Sequence, residues 1–183
     1  MEMTELLVSI KTTLQKNKVT KLALLAKNDG LLINELIDLT FHQDEQIGFR
    51  AAWILENIYA NHLNSFIPFS IYFLDRFSEQ NNLSARRHFV KILAAMTYKK
   101  APSQIKEFIN SYNTENIVKT VYSWLIDANV PVAVKSFCLN ILANLNDKHN
   151  WLKEELLQTM DFLVDKESIG FYAKVKQIRK QLK

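Results

Sequence analysis

The stretch WILENI at residues 53–58 has a close echo in NILANL at 140–145 and a weaker one in KILAAM at 91–96. Aligned on the Ile-Leu pair, the three segments bring in a fourth, so that Ile54, Ile92, Ile141 and Ile178 occupy one column, spaced 38, 49 and 37 residues apart. Seven positions before this column stand Ile47, Ala85, Val134 and Phe171; three before, Ala51, Phe89, Cys138 and Val175; four after, Ile58, Met96, Leu145 and Leu182. All of these are apolar, at the offsets that line one stripe of a helix. The repeated unit is therefore read as a packing unit, and Cys138 as a small buried hydrophobe rather than a nucleophile, since no motif places a histidine to activate it.

A second repeated feature precedes each of these helices: Leu36-Ile37-Asp38, Phe73-Leu74-Asp75, Leu125-Ile126-Asp127 and Leu163-Val164-Asp165. The aspartate falls 13 to 17 residues before the column isoleucine, where one helix should end and a short turn begin. Its carboxylate suits the backbone N–H groups of a turn or of the next helix start. The reading is of four helix-turn-helix units over 31–60, 64–98, 114–146 and 150–182, preceded by N-terminal capping helices over 3–28 (3–16 and 18–28). The segment 99–113 holds a short extra helix that starts at Pro102 and offers Ile105, Phe108 and Ile109 to the seam. Pairs of this kind cannot bury their apolar stripes alone and stack into a solenoid.

Composition agrees. The 183 residues are 48% hydrophobic and 23% charged, with three glycines and three prolines, which favours long helices over a turn-rich sheet protein and makes one domain the default. A single cysteine excludes an internal disulfide framework and a multi-thiolate zinc site, and fits a reducing compartment. No apolar run approaches the roughly 18 residues of a membrane span, and the N-terminal MEMTELLVSIKTTLQ has no signal-peptide core. The expectation is a soluble, cytoplasmic protein without membrane contact.

The apolar-apolar-Asp turn followed by a basic residue early in the second helix (Arg50, Arg86 or Arg87, Lys135, Lys174) is similar to the HEAT repeat. AAWILENI resembles the third helix of armadillo repeats in nuclear import receptors, and FRAAWILENI, PVAVKSFCLNIL and GFYAKVKQIRKQL resemble a group of small bacterial HEAT-like proteins. The resemblance implies an all-α fold, a right-handed α-α superhelix of the HEAT/armadillo solenoid type, with about four helix pairs behind an N-terminal helical cap.

One step of rotation from the core column, the second helices present Arg50, Trp53 and Asn57; His88, Lys91 and Ala95; Phe137, Asn140 and Asn144; and Lys174, Gln177 and Gln181. In HEAT and armadillo arrays this face lines the concave surface, so Arg50, Trp53, Asn57, His88, Lys91, Asn140 and Asn144 are the candidate contacts for a protein partner, with Trp53 as a flat anchor. Matching Trp and Asn residues recur through many import-receptor repeats, whereas here the pair is complete once, at Trp53 and Asn57.

The alternative partner is nucleic acid. The net charge is +4, and the basic excess lies in the middle and the end of the chain; Arg86, Arg87, Lys91, Lys99, Lys100, Lys174 and Arg179 are the candidate phosphate contacts. Basic residues in the last helical turn also complement the helix dipole, which accounts for part of that excess.

Catalysis is not expected. The sequence has no Gly-rich phosphate loop, no HExxH and no thiol–histidine pattern, and it calls for no cofactor and no metal. His42, His62, His88 and His149 read as scattered through turns and exposed helix positions. Asp44-Glu45 and Glu154-Glu155 fall at helix starts, where acidic residues favour the dipole.

Overall fold

A computed structural model describes residues 3–12, 14–26 and 30–183, all in helices and short connections with no strand among them. The expected capping helices include residues 13, 27 and 28, which lie outside the described residues. The chain divides into two compact units, Met1–Ile92 and Leu93–Lys183.

The first unit contains α1 (Met3–Lys11), α2 (Lys16–Ala26), α3 (Gly30–Leu39), α4 (Glu45–Asn61), the short α5 (Leu63–Phe66), α6 (Ser70–Phe77) and most of α7 (Leu83–Met96). Helix α4 is its hub and packs on α1, α2, α3 and α5. The second unit contains the last turn of α7, then α8 (Ser103–Ser111), α9 (Glu115–Ile126), α10 (Val132–Asn144), α11 (Leu152–Val164) and α12 (Ile169–Gln181); α10 is the hub and packs on α9, α11 and α12. Pro102 stands at the start of α8, where its missing N–H costs no helical bond, and Ile105 and Ile109 of that helix are buried.

Every residue of the four-row apolar register is buried, from Ile47 through Leu182. A second stripe joins it. Two positions before the column isoleucine, Ala52, Val90 and Leu139 are inaccessible, as are Leu55, Leu93 and Leu142 one position after it. At the same two registers α12 carries Lys176, which is exposed, and Arg179, which pairs with Asp161. Helices α4, α7 and α10 are thus buried on two sides and α12 on one.

The turns hold the expected aspartates differently from the sequence reading. Asp127 does serve its turn, accepting the Asn129 N–H at 2.9 Å. Asp38 lies inside the last turn of α3 and reaches to α6, accepting from Tyr72 Oη at 2.5 Å and Arg76 Nη1 at 2.8 Å, and Asp75 lies inside α6. The helix starts are capped by other residues: Asp44 accepts the N–H groups of Gln46 and Ile47, and Asn82 those of Ser84 and Ala85.

Buried polar groups tie the turns together. Gln80 donates to the Thr40 carbonyl at 3.3 Å and accepts from the Asn82 N–H at 3.0 Å, and Asn82 donates through Nδ2 to the Glu45 carbonyl at 2.8 Å. Gly48 sits against this network: a Cβ there would lie 2.8 Å from the Thr40 carbonyl oxygen and 3.3 Å from Asn82 Nδ2. In the second unit Lys135, 2% exposed, forms an ion pair with Glu167 from the turn before α12. Two cations close helix ends in the manner of caps. Arg50 Nη1 donates to the carbonyls of Ile10 and Lys11 at 2.9 and 2.8 Å, and Lys148 Nζ to those of Ile109 and Asn110 at 2.7 and 3.0 Å and to that of Tyr112.

Two stability outcomes follow from these contacts. Gly48→Ala is expected to lower the unfolding free energy by about 1–3 kcal/mol, because backbone rather than a flexible side chain must give way. Glu167→Ala is expected to cost about 3 kcal/mol by leaving a buried ammonium unpaired, and Lys135→Met distinctly less. Urea denaturation of the three variants beside wild type checks both, and equal costs for Glu167→Ala and Lys135→Met would contradict the second.

Candidate functional site

Residues of α4 and α7 that lie one step off the buried column form a cluster within the first unit. Trp53 and Phe49, both half-buried, have ring centroids 6.2 Å apart on α4, and the His88 ring of α7 lies against both, 5.3 Å from Phe49 and stacked on Trp53 at 6.4 Å and 18°. Glu56 bridges the two helices: Oε1 accepts from Lys91 Nζ at 2.9 Å, and Oε2 pairs with His88 Nδ1. Burial alone would raise the Glu56 carboxyl, but the bonds and charges of His88 and Lys91 outweigh it and hold the group below the ordinary carboxylate range.

His88 is 6% exposed rather than an exposed helix residue, because two aromatic rings and a carboxylate enclose it; its Nε2 is buried without a hydrogen-bond partner. Asn57 is half-buried on the same side of α4, its Oδ1 also without a partner. Arg50 turns away from the cluster to the end of α1. Sequence reasoning passed over Phe49 and Glu56, although they stand four before and three after Trp53 and so share its face.

In the second unit the corresponding face is occupied by mutual hydrogen bonds. Asn144 donates to Thr97 Oγ1 at 3.3 Å and accepts from Gln181 Nε2 at 2.9 Å; Asn140 accepts from Lys174 Nζ, which also donates to Gln177 at 2.8 Å. Burial pushes the Lys174 ammonium down. Asn144 and Gln181 form part of the wall of a cavity of about 390 Å³.

Of the basic residues that could meet phosphate, Arg86 donates to the Gln80 carbonyl at 3.0 Å, Lys91 to Glu56, Lys174 to Asn140 and Gln177, and Arg179 pairs with Asp161. Arg87, Lys99 and Lys100 are exposed without a partner among the described residues. The other histidines are used locally: His42 Nδ1 accepts the Asp44 N–H at 2.9 Å and His149 Nε2 bonds Thr114 Oγ1 at 2.8 Å. Among the described residues no group of three or more His, Cys, Asp or Glu side chains is placed to hold a metal ion, and no helix is long and apolar enough to cross a membrane.

A model of the HEAT repeat domain matches residues 7–182. The chain belongs to the HEAT repeat family. No curated protein matches the sequence. As a HEAT repeat protein the chain is an α-solenoid, a fold of the protein-interaction scaffold type and of a family that is generally non-catalytic.

The Glu56 contacts give this HEAT repeat protein a pH signature. A carboxyl whose folded value is depressed contributes stability above the unfolded carboxyl value, and that contribution is lost as pH falls through the folded one. Wild type is therefore expected to lose more unfolding free energy between neutral pH and about pH 3 than Glu56→Gln does. Parallel urea titrations at the two pH values measure the difference; identical losses would show that Glu56 gains nothing from His88 and Lys91.

Proposed function

We propose that the chain is a non-catalytic recognition module that binds a protein partner on the α4–α7 face, with Trp53 as its anchor. The observation that carries this reading is the Trp53 ring, half-exposed yet fixed between Phe49 and His88, beside the Glu56–Lys91 pair. A rigid aromatic surface loses little entropy on contact, and a flanking charge pair of both signs supplies a polar rim. Arg50 acts here by holding α1, and the second-unit amides Asn140 and Asn144 by holding α12 and Thr97, so contact is concentrated on Trp53, Phe49, Lys91 and Glu56.

The charge pattern favours protein over nucleic acid. Phosphate binding draws on uncommitted cations along one track, whereas Arg86, Lys91, Lys174 and Arg179 are spent on internal acceptors. The buried, lone Cys138 fits a reducing cytoplasm.

Capture of a partner on immobilised protein tests the reading. Loss of a central aromatic anchor typically costs 2 kcal/mol or more, so Trp53→Ala is expected to weaken retention by about thirtyfold, while Trp53→Phe retains part of it and Tyr172→Ala, on α12, retains all of it. Undiminished retention by a folded Trp53→Ala variant would overturn the anchor.

A further inference from the structure

The cavity in the second unit is built from the loop after α7, from α8, from the end of α10 with its following turn, and from the end of α12. Its volume of about 390 Å³ falls within the range of small-molecule sites. Three ammonium groups belong to the lining, Lys99, Lys106 and Lys148, against one carboxylate, Asp147. Lys148 is committed to three carbonyls at the end of α8, and burial pushes it down. Lys99 and Lys106 are exposed and have no partner among the described residues. The ends of α7, α8, α10 and α12 line the cavity and carry partial negative charge; at α8 Lys148 answers it directly, and Lys99 and Lys106 supply full positive charges in the same lining. The formal side-chain charge of the lining is positive, three ammonium groups against one carboxylate.

We propose that this cavity binds a small phosphate-bearing molecule, with Lys99 and Lys106 on the phosphate and the Asn110 and Asn146 amides on the polar body that carries it. Two free ammonium groups match the near-dianionic charge of a phosphate better than the single charge of a carboxylate. Asn144 in the lining is preorganised, held by Thr97 and Gln181. A concave site with two free cations holds one phosphorylated group; a nucleic-acid strand calls for a track of them. The site is separate from the Trp53 face, and the proposal stands or falls independently of partner binding there.

Protein-observed NMR with pyrophosphate as the probe tests it. Saturable shifts are expected at the side-chain amides of Asn110, Asn144, Asn146 and Gln181. The double variant Lys99→Gln/Lys106→Gln should weaken half-saturation by about tenfold or more, and Lys176→Gln/Lys180→Gln, which removes two exposed charges of α12 outside the cavity, should leave it unchanged. Absence of saturable shifts, or equal weakening in both double variants, would overturn the site. So would tight, salt-sensitive binding of a single-stranded oligonucleotide with no response to pyrophosphate, which would assign these lysines to a nucleic-acid surface.

Discussion

A helix pair in this chain has more apolar surface than the two helices can hide from water between themselves, and the rest of the architecture answers that surplus. Helices α4 and α10 each meet three or more neighbours, and both the column that includes Ile54 and Ile141 and the flanking stripe that includes Leu55 and Leu142 are buried. Burial of one leucine or isoleucine is worth about 1.5–3 kcal/mol, so a second stripe makes each hub helix depend on its neighbours for much of its stability. At α12, whose packing partners are α10 and α11, the second stripe gives way to Lys176 and to Arg179 with its Asp161 partner. The chemistry of a register follows from what covers it.

Burying a helix on two sides brings its connecting turns into the interior as well, and turns carry backbone groups that need partners. The first unit meets this with amides and a hydroxyl: Thr40, Gln80 and Asn82 are all buried, and Gly48 leaves the Thr40 carbonyl room to take part. The second unit ties the turn before α12 to α10 with a buried side-chain ion pair, Glu167 to Lys135, and both units satisfy carbonyls at a helix end with a long cation, Arg50 or Lys148. A buried pair of this kind stabilises less than apolar packing of the same volume would, but it penalises any arrangement that separates the partners. Such ties fix the register of the helices within each unit.

That consumption of polar side chains explains which features were legible in the sequence. The 3.6-residue period located the buried rows, because apolar offsets are set by the helix itself and hold whatever lies opposite. It also placed Trp53, His88 and Lys91 on one side, where they do meet. It could not tell whether a polar residue facing away from the core would meet solvent or another side chain or backbone group of the protein. Arg50, Asn144, Lys174 and Arg179 all read as free contacts and all have internal partners. The aspartate column misled in the opposite way: equivalent positions in the sequence have unlike surroundings, with Asp127 bonding its turn while Asp38 reaches across to α6.

Once the internally committed groups are set aside, the two units offer different chemistry on one scaffold. In the first, Glu56 binds both Lys91 and His88 Nδ1, and the His88 ring packs on Trp53 and Phe49; what remains for an outside molecule is mainly the half-exposed pair of Trp53 and Phe49. In the second, aromatic side chains are absent from the amide ladder of Asn140, Asn144, Lys174 and Gln181, and what remains is a polar concavity with cations to spare. A repeat fold fixes backbone geometry through its apolar rows and leaves the outward positions chemically unconstrained. Divergence of the two faces therefore costs the core nothing, and each unit can recognise a different kind of surface without altering the packing that supports both.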